Sequence, residues 1–331
     1  MKITILGAGA WGTALAISLA AKNELVLWGR NQTMMSRLQA DRVNQDYLPG
    51  FTLPPQLLAT ADFHLAMEHI QSSGLLIIAS SVAGLRPILT QCLPYHLKQV
   101  VWLCKGFEEG TQLLPHQIVR QVLGNQVAAG ALSGPSFAQE VAKGLPCALT
   151  IASSTHELCQ QVVAAAHGNA IRVYSSDDVI GVEVGGAVKN ILAIATGIAD
   201  GLGLGLNARA ALMTRGLAEI SRLGVALGGR SETLMGLTGV GDLILTCTGD
   251  LSRNRKVGLA IAQGKSLATI VEELGHVAEG VRCAQAVRSL AARLKVDMPI
   301  SDAVAGVLFD GVSAQEMIER LLARDARQEG N

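Results

Sequence analysis

Lys189 and Asn190 interrupt an otherwise apolar run, Gly185-Gly186-Ala187-Val188-Lys189-Asn190-Ile191-Leu192-Ala193. Carbonyl reduction needs a proton for the oxygen as hydride reaches the carbon. A lysine titrates near ~10.4 in water, and desolvation or a neighbouring cation brings it towards neutrality. There it can donate that proton, or accept it in the reverse reaction, for typically ~10²–10⁴-fold in rate. The spacing equally allows a lysine whose stem lies on apolar surface while its ammonium reaches water. Thr196 and Asp200, seven and eleven residues further on, share its helical face and make that face polar. Glycine inside a helix costs roughly 1 kcal/mol against alanine, so Gly185 and Gly186 call for close approach of a ligand or another backbone.

A basic loop, Asp250-Leu251-Ser252-Arg253-Asn254-Arg255, precedes a helical pattern. Ser, Arg and Asn donors at a helix start suit a phosphate, which arginine binds bidentately. The same residues also read as an N-cap serine followed by surface charge. Upstream, Gly239-Val240-Gly241-Asp242 places a carboxylate on a glycine-permitted turn. Cys104-Lys105-Gly106 puts a lysine at the C-terminal end of a strand, the edge where α/β sheets bind ligands. Pro135 follows Ser133-Gly134 and opens a helix at that edge. Together these loops describe a carbonyl compound carrying a phosphate, without naming it.

The chain begins with Ile3–Leu6, which runs directly into Gly7-Ala8-Gly9-Ala10-Trp11-Gly12 and a helix of small residues. Between a strand and a helix, this GxGxxG pattern reads as a dinucleotide site. Gly7 permits the tight turn, Gly9 the approach of a pyrophosphate, and Gly12 close helix–sheet packing. The phosphates then meet the free N–H groups of a helix N-terminus. After the second strand, where a carboxylate would take the ribose hydroxyls of NAD, stands Gly29-Arg30-Asn31. A guanidinium there can hold a 2′-phosphate, so NADP(H) is favoured with NAD(H) allowed. Arg30 also reads as a solvated residue opening the next helix.

These residues need a scaffold. Strand-like runs occur at Ile3–Leu6, Leu25–Trp28, Leu75–Ala79, Val100–Cys104, Ala128–Leu132, Ala148–Ala152 and Ile171–Tyr174. Helical patterns such as Thr13–Ala21, Val82–Gln91 and His156–Ala166 alternate with them. Alternation predicts a doubly wound parallel sheet of the Rossmann type over residues 1–178. Over residues 179–331 apolar residues recur at helical spacing, in Ala208–Leu227, Val257–Ala262, Val281–Leu294 and Ala303–Leu308. This predicts an all-helical substrate-binding and catalytic domain. The tail Asp325–Asn331 reads as disordered.

Lys plus Arg and Asp plus Glu number 27 each, so no basic excess points to nucleic acid or an anionic membrane surface. The six cysteines are scattered without a CxxC pair, read as core residues, and suggest no metal. Ala187–Ala199, broken by Lys189 and Asn190, falls short of the ~20 residues needed to span a bilayer. A strand that starts at Lys2 leaves no room for a leader, and the expected setting is reducing cytosol.

At these residues the chain resembles the bacterial-type NAD(P)-dependent glycerol-3-phosphate dehydrogenases. The similarity runs along nearly the whole sequence. Its most specific segments are LSGPSFAQEVAKGLP (Leu132–Pro146), GGAVKNILAIATGIADGLGLG (Gly185–Gly205) and LTGVGDLILTCTGDLSRNRKVG (Leu237–Gly258). The resemblance implies that Lys189 is the catalytic lysine exchanging a proton with the substrate oxygen. It implies substrate contacts from Lys105, Gly134 and Ser136 in the first domain, and from Asp242, Ser252, Arg253 and Asn254 in the second. It implies cofactor contacts from Trp11, Arg30, Lys105, Ala138, Arg253, Val277 and Glu279. Ala10 stands where the family often has a serine, and offers its backbone N–H instead. His276 is given a structural role only. The resemblance further implies a cytoplasmic homodimer, often inhibited by its product, that supplies glycerol phosphate for phospholipid synthesis.

Ketopantoate reductases and β-hydroxyacid dehydrogenases share the glycine-rich start and a helical lysine, but act on carboxylates; Ser252-Arg253-Asn254 argues for phosphate. A hydroxyacyl-CoA dehydrogenase needs a His–Glu pair for which no histidine is well placed. A non-catalytic NADPH sensor would need none of Lys189, Asp242 and Arg253.

Overall fold

The computed structural model describes residues 1–71, 73–168, 170–275 and 278–323. The expectations for His276, Val277 and the tail Asp325–Asn331 therefore lie outside the described residues. The chain divides into two compact units, Met1–Glu183 and Val184–Asn331.

The first unit contains β1 (Lys2–Leu6), β2 (Glu24–Trp28), β3 (Val43–Asn44), β4 (Leu48–Thr52), β5 (Leu58–Thr60), β6 (Leu75–Ile78), β7 (Gln99–Trp102), β8 (Ala128–Ser133), β9 (Cys147–Ala152) and β10 (Ile171–Ser176). Eight of them form one sheet, in the order β10-β9-β8-β7-β6-β1-β2-β5. The strand order reverses about β1, whose neighbours are β2 and β6, both parallel to it. In open α/β sheets ligands bind at the carboxyl ends of the strands beside such a switch point. The central strands are rich in apolar residues because both faces of the sheet are covered. Ile3, Ile5, Leu75, Ile77 and Val101 enter one core, and Leu6, Leu76, Ile78, Val100 and Trp102 the other.

The sheet is parallel at every pairing except β8–β9, where Leu132 opposes Ile151 in antiparallel register. Residues 134–146, with the short helix Ala138–Ala142, join these two strands.

The second unit is built from helices, with no strand among its described residues. The long helix Val179–Gly201 is buried at every position from Gly181 to Ala199. Its length and composition would allow it to cross a membrane. Packed on all sides and mostly apolar, it is a core helix that holds Glu183, Lys189, Asn190 and Thr196 in the interior.

Candidate active site

The turn after β1 has the geometry a dinucleotide needs. Gly7 has φ +130°, and a Cβ there would lie 2.5 Å from the Ala79 carbonyl oxygen. A Cβ on Gly12 would lie 2.0 Å from the carbonyl oxygen of Gly7, whereas one on Gly9 would meet nothing within 4 Å. Gly7 and Gly12 are thus required by the fold, and Gly9 faces open space of the kind a pyrophosphate fills. Gly9 is also the N-cap of the helix Ala10–Leu19 and has no side chain to cap it. Ala10, Trp11 and Gly12 therefore open the helix with backbone N–H groups suited to an anion.

Arg30 is exposed beside buried Gly29, and Asn31 caps the next helix by accepting from the Met34 N–H at 2.9 Å. Residues 29–31 carry no carboxylate, and Arg30 presents a cation after β2. Ala138 opens the short helix Ala138–Ala142 and packs against the first core.

Lys105, Gly134 and Ser136 come together. Lys105 Nζ donates to the Gly134 carbonyl at 3.3 Å, and Ser136 Oγ donates to the same oxygen at 3.2 Å. Lys105 follows β7 and Gly134 follows β8, at the carboxyl edge of the sheet.

In the second unit Lys189 is 6% exposed and Asp242 1% exposed, so the lysine head does not reach bulk water. Its Nζ donates to Asp242 Oδ1, and to Thr246 Oγ1 at 2.9 Å. Thr246 in turn donates to the Asp242 carbonyl at 2.6 Å. Asp242 begins the helix Asp242–Thr248, which places Thr246 one turn later on the same face. Either charge alone would be costly to bury, and the pair with its hydroxyl partner resolves that cost. The close approach suggested by the helical glycines is made by backbone: a Cβ on Gly185 would lie 2.5 Å from the Thr238 carbonyl oxygen. That contact seats the turn Leu237–Gly241, which delivers Asp242.

The basic loop is braced by its own polar groups. Ser252 Oγ caps the helix Arg253–Ala262 by accepting from the Arg255 N–H at 3.2 Å. Asn254 Nδ2 donates to Asn190 Oδ1 at 2.9 Å, and its Oδ1 accepts from the Gly280 N–H at 2.9 Å. Arg255 pairs with Asp200 at 2.8 Å, so this aspartate of the Lys189 face serves the fold. Thr196 likewise turns inward, donating to the Ala193 carbonyl at 3.1 Å. Arg253 opens the helix with its side chain accessible to solvent, yet enough protein surrounds the guanidinium for desolvation to lower its pKa. Glu279 opposes that shift, while burial raises the pKa of Glu279 itself against the pull of Arg282 and Arg253.

Residues 2–159 match the family model for the N-terminus of NAD-dependent glycerol-3-phosphate dehydrogenase, and residues 178–319 match that for its C-terminus. A glycerol-3-phosphate dehydrogenase [NAD(P)+] of Herminiimonas arsenicoxydans is 68% identical over 329 residues, covering 99% of each chain.

The chain belongs to the NAD-dependent glycerol-3-phosphate dehydrogenase family.

A second relative of the same description, from Paucimonas lemoignei, is 68% identical over 99% of this chain and 98% of its own. Among solved structures, the glycerol-3-phosphate dehydrogenase of Coxiella burnetii superposes with a TM-score of 0.93 at 41% identity. That match covers 97% of this chain and 98% of the other. Within this family member, sequence reasoning missed Thr246, whose signal was an i,i+4 spacing from Asp242 on one helix face. It also missed that Asn190 is held by Asn254. Neither relation is visible until the two segments are packed together.

Proposed function

We infer that this chain catalyses the reversible NAD(P)H-dependent reduction of dihydroxyacetone phosphate to sn-glycerol 3-phosphate. The observation that carries the reading is the buried Lys189, held by Asp242 and Thr246 in the same helical unit that presents Arg253 at a helix start. The nicotinamide, when bound, supplies the hydride. Lys189 gives its proton to the carbonyl oxygen and takes it back in the reverse direction, while Asp242 and Thr246 fix the ammonium. Arg253 binds the phosphate as a bidentate donor, supported by Ser252 and Asn254 at the helix N-terminus. Lys105, Gly134 and Ser136 contribute substrate contacts from the nucleotide-binding region.

The nucleotide is held by Gly7, Gly9, Ala10, Trp11 and Gly12, with Ala138, Lys105, Arg253, Val277 and Glu279 as further contacts. Residues 1–178 serve as the nucleotide-binding domain and 179–331 as the substrate domain. Arg30, a cation where NAD-specific sites carry a carboxylate, supports a preference for NADPH over NADH. The enzyme works as a cytoplasmic homodimer that supplies glycerophospholipid synthesis. Loss of NADPH absorbance on adding dihydroxyacetone phosphate tests the reading, with unphosphorylated dihydroxyacetone and ketopantoate as controls. Oxidation with the phosphorylated ketone alone is the expected result. Oxidation by ketopantoate instead would refute it.

A further inference from the structure

One buried carboxylate holds both ends of the loop that carries Lys105. β7 ends at Trp102 and the helix Pro115–Leu123 begins at Pro115. Glu183, whose side chain is 2% exposed, reaches both. Its Oε1 accepts from Trp102 Nε1 at 3.0 Å and from the His116 backbone N–H at 2.9 Å. Its Oε2 is hydrogen-bonded to His116 Nδ1 at 2.5 Å. The middle of the loop is tied separately: Glu108 accepts from Arg86 at 2.7 and 2.8 Å and from Thr111 at 2.6 Å.

Burial raises the pKa of Glu183, against the opposing pull of His116. Such a group contributes little net stability relative to well-packed apolar residues, because desolvation offsets the attraction. What it supplies is direction, since donors from the two loop ends converge on one rigid acceptor. The loop they frame places Lys105 Nζ 3.3 Å from the Gly134 carbonyl.

We propose that Glu183 is a positioning residue for the reduction, setting the place of Lys105 by fixing both ends of the 103–114 loop. The proposal rests on the reading of Lys105 as a substrate contact. It predicts a selective defect. Glu183→Ala raises the KM for dihydroxyacetone phosphate by about tenfold and changes the KM for NADPH by less than about twofold. Glu183→Gln is rescued, because its amide oxygen accepts from Trp102 and His116 while its NH₂ donates to a neutral Nδ1. Trp102→Phe removes one tether, keeps an aromatic ring in the core, and falls between the two.

The deciding experiment is a double-mutant cycle on the full chain. In a Lys105→Ala background, Trp102→Phe and Glu183→Ala each add less than about twofold. Multiplicative effects would overturn the proposal, as would equal rises in both Michaelis constants. If Glu183→Ala does not fold, the Trp102→Phe cycle decides alone. A Lys105→Ala enzyme with an unchanged KM for dihydroxyacetone phosphate overturns the substrate-contact reading, and the positioning role with it. A large Lys105→Ala effect combined with multiplicativity overturns the positioning role only.

Discussion

Replacing Lys189 with alanine separates two consequences that the structure puts in one place. The lysine is 6% exposed and its partner Asp242 1% exposed, so the substitution leaves a carboxylate buried without its cation. Breaking a buried pair from one side costs about 3–5 kcal/mol, a large share of the ~5–15 kcal/mol that stabilises a typical protein. Loss of the proton donor should lower turnover by ~10²–10⁴-fold. At ~1.36 kcal/mol per tenfold that is roughly 2.7–5.5 kcal/mol of barrier. The two effects are similar in size and must be uncoupled. Lys189→Ala combined with Asp242→Asn removes the unpaired charge, and should recover most of the lost stability with turnover still depressed. The assay is steady-state turnover at saturating dihydroxyacetone phosphate and NADPH, alongside thermal unfolding of both variants. Normal turnover in Lys189→Ala would refute the proton-transfer role. Restored turnover in the double variant would show that the single variant had failed by unfolding and not in its chemistry.

Arg253→Ala should raise the KM for dihydroxyacetone phosphate by roughly ten- to a hundredfold, from the ~1.5–3 kcal/mol of a charge-assisted contact, and initial-rate kinetics measures this. Arg30→Ala should raise the KM for NADPH much more than that for NADH; equal effects would remove the 2′-phosphate role. The hydrogen bond from Arg86 holds the Glu108 carboxyl below its usual range, against desolvation and with help from Thr111. Its contribution to stability is therefore complete above the ordinary value of 4.5 and is lost as pH falls through the depressed one. Glu108→Gln should be less stable than the native chain at neutral pH, with the difference vanishing in acid, as read by denaturant titration across pH. Burial pushes the thiols of Cys92 and Cys247 up to about 12. Both should stay unreactive to a disulfide reagent at mildly alkaline pH until the chain is unfolded, as followed by thiol titration.

The sheet was most legible where it is most buried. β1, β6 and β7 are rich in apolar residues because each strand feeds two cores, and composition placed each of them to within two residues at either end. Strand direction was less accessible. The residues of β9 are of the same apolar type as those of the parallel strands, so nothing in its composition marks its reversed pairing with β8. β5 has three residues and β3 has two, too few for any periodicity, and β4 contains Pro49 and Gly50, which read as a turn. The helix Gly205–Ala226 starts before the expected Ala208, and its beginning was not legible because no capping side chain marks it.

The chemistry of the site was legible one residue at a time, and its pairings were not. Sequence left Lys189 either as a proton donor or as a lysine reaching water; burial against Asp242 and Thr246 removes the second possibility. Sequence likewise left Gly185 open to a ligand or a backbone, and Thr238 takes that space. At the basic loop the fold itself takes up most of the polar groups. Ser252 gives its oxygen to the cap, Asn254 gives its oxygen and one N–H to the packing of Asn190 and Gly280, and Arg255 is bound to Asp200. Among the described residues Arg253 forms no hydrogen bond or ion pair, and Glu279 acts on it only through longer-range attraction. A rigid, internally satisfied helix start that leaves one guanidinium unspent is suited to hold an incoming phosphate. The neighbours of Arg253 then need not be rearranged when it binds.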